Sequence, residues 1–199
     1  EATFAIPRKI FVDGDPMFTQ INLTGDKDGG RLRRMRAHDR HFTFGLNVGG
    51  ADCKVPECGL QWLPTVQPVS IRHWEKCNEA RHPEAEGHWT TVMNWVSYPP
   101  VEFGGEAYGQ KDIEFERFVE LPRAARVPFL LAMGRGMGNK RPTERLEQAG
   151  WKIREPLDVI PDHRSYQRFL GASRGEWSVA KHGYVAARTG WFSCRTACY

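Results

Sequence analysis

Residues 173–199 hold the densest run of groups able to do chemistry. Arg174, Lys181, Arg188 and Arg195 are spread among small residues and aromatic rings, with Glu176 close to the first of them. A diphosphate is held by fixed cations and by backbone N–H groups that small side chains leave accessible. Glu176 adds a carboxylate that can accept paired hydrogen bonds from the hydroxyls of a ribose or hexose. Two readings of this run stand together, an anion or nucleotide site and a surface ion-pair cluster. Near the start of the chain, Asp13 and Asp15 offer two carboxylates that could ligate a divalent ion or orient a hydroxyl. Asp15 equally suits the cap of a helix opening at Pro16. His41 stands close in sequence to His38, Asp39 and Asn47, ahead of a glycine loop. An imidazole there could take a proton from an attacking hydroxyl, and plain packing is the alternative.

Other patterns carry less. Gly134, Gly136 and Gly138 lack the spacing of a dinucleotide fingerprint and read as a loop. No phosphate-loop lysine pattern and no nucleophile elbow occurs. Cys53, Cys58, Cys77 and His82 invite a zinc reading, but the close cysteine pairs of a structural zinc site are missing, so no metal is expected. Arg31, Arg33, Arg34 and Arg36 form a dense basic run. With no groove-reading or base-stacking motif beside it, the run reads as a solvated helix or loop face, and nucleic acid is not an expected partner.

The elements that would position these groups alternate between strand and helix. Residues 9–13 predict a short buried strand ending in an acidic loop, and residues 16–23 a helix after it. Residues 41–45 predict a second strand. The stretch 51–87 is rich in Pro, Cys, Trp and charge, with residues 62–69 a rigid, irregular connection. Strand character returns at Trp89. Residues 129–133 and 151–153 predict further strands, while residues 114–122, 142–148 and 164–170 predict helices, the second closed by Gly150. Residues 173–176 read as a loop and 184–188 as a strand or short helix. Such alternation argues for α/β with Rossmann-like parallel sheets, whose ligands gather beyond the carboxyl ends of the strands.

Composition sets the outer limits. The chain has 199 residues, a formal charge of +4, 40% hydrophobic and 26% charged residues, which excludes a disordered or fibrous protein. Five cysteines, an odd number, no secretory leader at the start and no apolar run near twenty residues predict a cytoplasmic protein without a transmembrane segment.

Several segments, met in order, resemble those of a bacterial group of glycosyltransferases with the GT-B architecture of two Rossmann-like domains. They are residues 13–20, 41–47, 62–69, 108–112 and, above all, 173–199. The resemblance implies that residues 1–72 form the C-terminal part of the acceptor-side domain, 73–88 a linker, and 89–199 the N-terminal part of the nucleotide-sugar domain. It also implies a longer enzyme, with a glycine-rich βα unit before Glu1 and a helix with a small-residue turn after Tyr199. The implied activity is transfer of a hexose from a nucleotide-diphosphate sugar to an acceptor hydroxyl, with no cofactor and no catalytic metal. Carried over by motif, Ser173, Arg174, Glu176, Lys181 and Arg195 would bind the donor. Arg174 and Lys181 would neutralise the diphosphate as it leaves. Asp13 and His41 would be catalytic and Asn47 substrate-binding, all on the acceptor side. Cys198 stands where commoner relatives place a second glutamate, which leaves the stereochemistry unassigned. The alternative is a fragment that binds a nucleotide or carbohydrate without turning it over.

Overall fold

The computed structural model describes residues 6–75, 81–139 and 141–199. Among them the strands run β1 (Ile10–Asp13), β2 (Arg40–Thr43), β3 (Trp62–Pro64), β4 (Trp89–Asn94), β5 (Val101–Phe103), β6 (Glu106–Tyr108), β7 (Phe129–Gly134), β8 (Lys152–Arg154) and β9 (Gly175–Glu176). The fold is α/β, with parallel sheets flanked by helices. By contact the chain divides into two units, each interrupted in sequence. One comprises the described residues up to Gln67 with Pro100–Tyr108 and His182–Phe192; the other takes Pro68–Pro99, Gly109–Lys181 and Ser193–Tyr199. Residues 73–88, expected as a linker, fall within the second unit's span, and 76–80 lie outside the described residues.

The first unit is built on a parallel sheet in the order β1-β2-β3. Side chains alternate across a strand, so the register that aligns Phe11, His41 and Trp62 puts all three on one face. That face meets Leu23, Met35 and Leu60. On the other face Ile10 and Val12 stay exposed. The helices Phe18–Thr24 and Gly30–Arg36 lie between β1 and β2 in the chain. The basic run occupies the second of these, with Arg31, Arg33, Arg34 and Arg36 exposed and Asp26 accepting the Arg31 N–H at its start. β3 corrects the expected irregular connection over residues 62–69. Its Pro64 falls at the strand's last position on the sheet edge, where a missing N–H costs nothing. The hairpin β5–β6, joined through Gly104 and Gly105 at positive φ, also belongs to this unit.

The second unit has the parallel order β8-β7-β4-β9. β7 is the continuous apolar run Phe-Leu-Leu-Ala-Met, buried on both faces as central parallel strands are. Phe129, Leu131 and Met133 meet Phe115, Leu146 and Trp151 on one side. Leu130 and Ala132 meet Val159, Phe169 and Leu170 on the other. The helices Lys111–Phe115 and Thr143–Gln148 supply the first layer; Pro156–Val159 and His163–Ala172 supply the second. Asp162 caps the last of these, accepting the Ser165 N–H at 2.7 Å. Residues 173–176, read from sequence as a loop, contain β9, a two-residue strand paired with β4. No helix among the described residues is long and apolar enough to cross a membrane.

Candidate anion-binding site

In the second unit a cavity of about 340 Å³ opens at the carboxyl end of β4. It is lined by Val92, Met93, Asn94, Ser97, Gln110, Lys111, Pro156, Lys181 and Arg195, so three cations meet there without a lining carboxylate. This is where parallel α/β sheets bind ligands. Close approach of backbone shapes its surroundings. A Cβ on Gly134 would stand 2.3 Å from Asn94 Oδ1, and one on Gly136, at φ +63°, would stand 1.9 Å from the Val96 carbonyl oxygen. Gly134 and Gly136 therefore let the end of β7 and the loop after it pass against the end of β4 and the segment after it.

Arg195 is held by three bonds. Its Nε meets Glu176 Oε1 at 2.5 Å, Nη1 donates to the Val92 carbonyl at 2.6 Å, and Nη2 donates to Ser178 Oγ at 2.6 Å. Its side chain is only 15% exposed and that of Glu176 only 5%. β9 brings Glu176 to this place because Gly175 lies flat on Trp89, where a Cβ would come within 2.6 Å of the indole. Glu176 thus orients the arginine and is absent from the cavity lining, in contrast to its expected contact with a sugar or ribose. Lys181 donates to Tyr98 Oη at 2.8 Å and lies 4.6 Å from the centre of that ring.

Gln110 and Lys111, also in the lining, are not among the expected site residues. Gln110 is 2% exposed, and its Nε2 has no hydrogen-bond partner among the described residues. A buried amide N–H without an acceptor costs about 1–3 kcal/mol, a cost that a ligand oxygen would remove. Lys111 follows it. Burial first, then repulsion from Arg195, against a weaker pull from Glu176, brings its pKa down to about 7. Both lie within residues 108–112, one of the segments that carried the resemblance. Between 70 and 85 residues separate them from Lys181 and Arg195, and no local spacing joins groups so far apart.

The remaining expected site residues do not line the cavity. Ser173 Oγ donates to the Phe169 carbonyl at 2.6 Å and meets Thr90 Oγ1 at 2.7 Å, closing the helix His163–Ala172. Arg174 is exposed and does not line the cavity. In the first unit Asp13 is 1% exposed, and four donors converge on it. Its Oδ1 accepts from Asp15 N at 3.0 Å and Thr19 Oγ1 at 2.7 Å. Its Oδ2 accepts from Gln20 Nε2 and Thr43 Oγ1, both at 2.9 Å. A carboxylate with its lone pairs so occupied ties β1 and β2 to the helix Phe18–Thr24. Asp15 does not provide the expected side-chain cap of that helix; its carboxylate accepts from Tyr184 Oη. His41 is buried, and its Nε2 lies 2.8 Å from the Met35 carbonyl, which places the ring proton on that nitrogen. Its ring packs edge-on against Trp62. Asn47 Nδ2 donates to Asp52 Oδ1 at 3.0 Å and to the Arg188 carbonyl at 2.8 Å, pinning a loop. Of the expected residues, the structure gathers Glu176, Lys181 and Arg195 about one cavity.

Among the described residues no group of three or more His, Cys, Asp or Glu side chains could hold a metal ion. Cys77 of the weighed zinc set lies outside them. Compared with families of known proteins, with curated proteins and with solved structures, the chain gave no match.

Proposed function

We propose that the chain is part of a GT-B glycosyltransferase, and that its second unit holds the diphosphate of a nucleotide-sugar donor in the cavity beside β4. One observation carries this reading. Lys111, Lys181 and Arg195 converge with an unpaired, buried amide at the carboxyl end of a parallel strand. Cations fixed in a partly desolvated cavity bind a polyanion, and they hold it more tightly as charge grows on a departing phosphate. Arg195 is pre-set by Glu176, so little ordering remains when the ligand arrives. Resemblance over residues 173–199 supplies the reaction: an acceptor hydroxyl attacks the anomeric carbon, its proton passes to a side chain or to the substrate, and the bond from that carbon to the nucleoside diphosphate breaks as the diphosphate leaves.

The test is calorimetric titration of the protein with UDP, GDP and their sugar conjugates. Binding of one nucleotide series is expected. Lys181→Met should weaken it at least tenfold, whereas Arg174→Ala, outside the cavity, should leave it within about twofold. An unchanged affinity in a folded Lys181→Met protein would remove the diphosphate from this cavity. A second reading, binding without transfer, is favoured by the occupied state of Asp13 and His41. A nucleotide sugar that binds and is returned intact in the presence of acceptor mixtures would select it.

A further inference from the structure

Lys181 is bonded to Tyr98 and Arg195 to Glu176, whereas among the described residues the Lys111 ammonium has neither a hydrogen bond nor an ion pair. The charged groups acting on it are Arg195 from the helix Cys194–Cys198, Glu176 from β9, and Lys181 from the segment that follows β9. Two repel its charge, and the single carboxylate is committed to Arg195. An amine placed in this way loses its proton easily. With its pKa brought to about 7, roughly half of the empty molecules carry an uncharged amine there at neutral pH. A multiply charged anion entering the cavity reverses the balance, because it sets negative charge beside the nitrogen and offsets the two neighbouring cations.

We infer that the cavity takes up its anion together with a proton, and that Lys111 is the group that receives it. The proton comes from the buffer, an N–H bond forms at Nζ, and no other bond changes. The inference rests on the anion site proposed above. It gives that site a preference graded by ligand charge, since an uncharged ligand would not recharge the amine. Affinity then falls as pH rises above about 7, by up to tenfold per unit, until the pKa of the bound state is passed.

Proton uptake is read by titrating UDP into the protein in buffers of differing ionisation enthalpy, with phosphate left out because it would compete. Uptake should be largest near pH 8, smaller near pH 7 and slight near pH 6. Lys111→Arg, permanently charged, should bind UDP with no uptake beyond the nucleotide's own. Lys111→Met should bind more weakly and also show none. A binding heat independent of buffer in the wild type, or the same uptake in Lys111→Arg, overturns the inference and leaves the anion site standing. No heat from UDP or from inorganic pyrophosphate at any of these pH values overturns both.

Discussion

Replacing Asp13 by Asn separates a structural carboxylate from a catalytic one. The wild-type group accepts from Asp15 N, Thr19 Oγ1, Gln20 Nε2 and Thr43 Oγ1. Asn keeps one accepting oxygen and turns an NH2 towards two former donors. Thr43 can rotate its hydroxyl to accept. Gln20 cannot exchange its amide ends without loss, because its Oε1 already accepts the Met17 N–H at 2.8 Å. One buried donor is therefore stranded, at about 1–3 kcal/mol, and the bonds that survive lose their charge assistance. The sum is about 3 kcal/mol, a large part of a domain's stability. Urea unfolding followed by far-UV circular dichroism should show an earlier midpoint with an unchanged slope. Amide exchange should quicken first at Asp15 and Thr19. An unfolding free energy within about 0.5 kcal/mol of the wild type would refute the reasoning. Loss of the proposed sugar transfer in such an unshifted protein would return Asp13 to the chemistry.

Three further outcomes follow from the second unit. Lys111 holds its proton less tightly in the fold than in the unfolded chain, so the unfolded state binds more protons between about pH 7 and 10.5; stability should rise across that window, and the penalty is fully present below pH 7. Thermal melts of Lys111→Met should accordingly show stabilisation near pH 6 that shrinks towards pH 10. Arg195→Met leaves the buried Glu176 without its partner and should cost about 3 kcal/mol by chemical denaturation, most of it recovered when Glu176→Met is added. Thr91→Val removes a hydroxyl that is 0% exposed and, among the described residues, unbonded in the sheet's interior, so the unfolding free energy should rise by about 1 kcal/mol in urea titrations.

Where local pattern alone determines an element, the sequence was legible. β7 is announced by an unbroken apolar run that suits only a strand covered on both faces, and Gly150, at φ +101°, follows the helix Thr143–Gln148 as its C-terminal signal suggests. The helix expected over residues 114–122 is in fact two, Lys111–Phe115 and Leu121–Ala125, with a 3₁₀ turn between them. The proline near the start of the second is tolerated in a first helical turn, so it marks a beginning where it was read as an end. β3 and β9 were missed because each owes its existence to a partner far along the chain, to β2 and β4 respectively. At the site, the cations of residues 173–199 were visible as a cluster of charge. Their division of labour was not. Glu176 looked like a ligand for hydroxyls until its distance to Arg195 was known, and Lys111 acquires meaning only through the field of groups that tertiary folding places around it.

The backbone passes from one unit to the other after Gln67, Pro99, Tyr108, Lys181 and Phe192. Neither unit is therefore a continuous stretch of message. During synthesis the sheet of the second unit lacks β9, Lys181 and Arg195 until residues 175–195 have emerged, and the first unit lacks His182–Phe192 until much the same point. Folding that must wait for such distant segments is slow and leaves hydrophobic strands uncovered in the meantime. No single cut yields two self-sufficient pieces, and a nick between residues 181 and 193 would deprive both units at once. A chain threaded in this way is recombined or shortened with difficulty, and its two halves are bound to be inherited together.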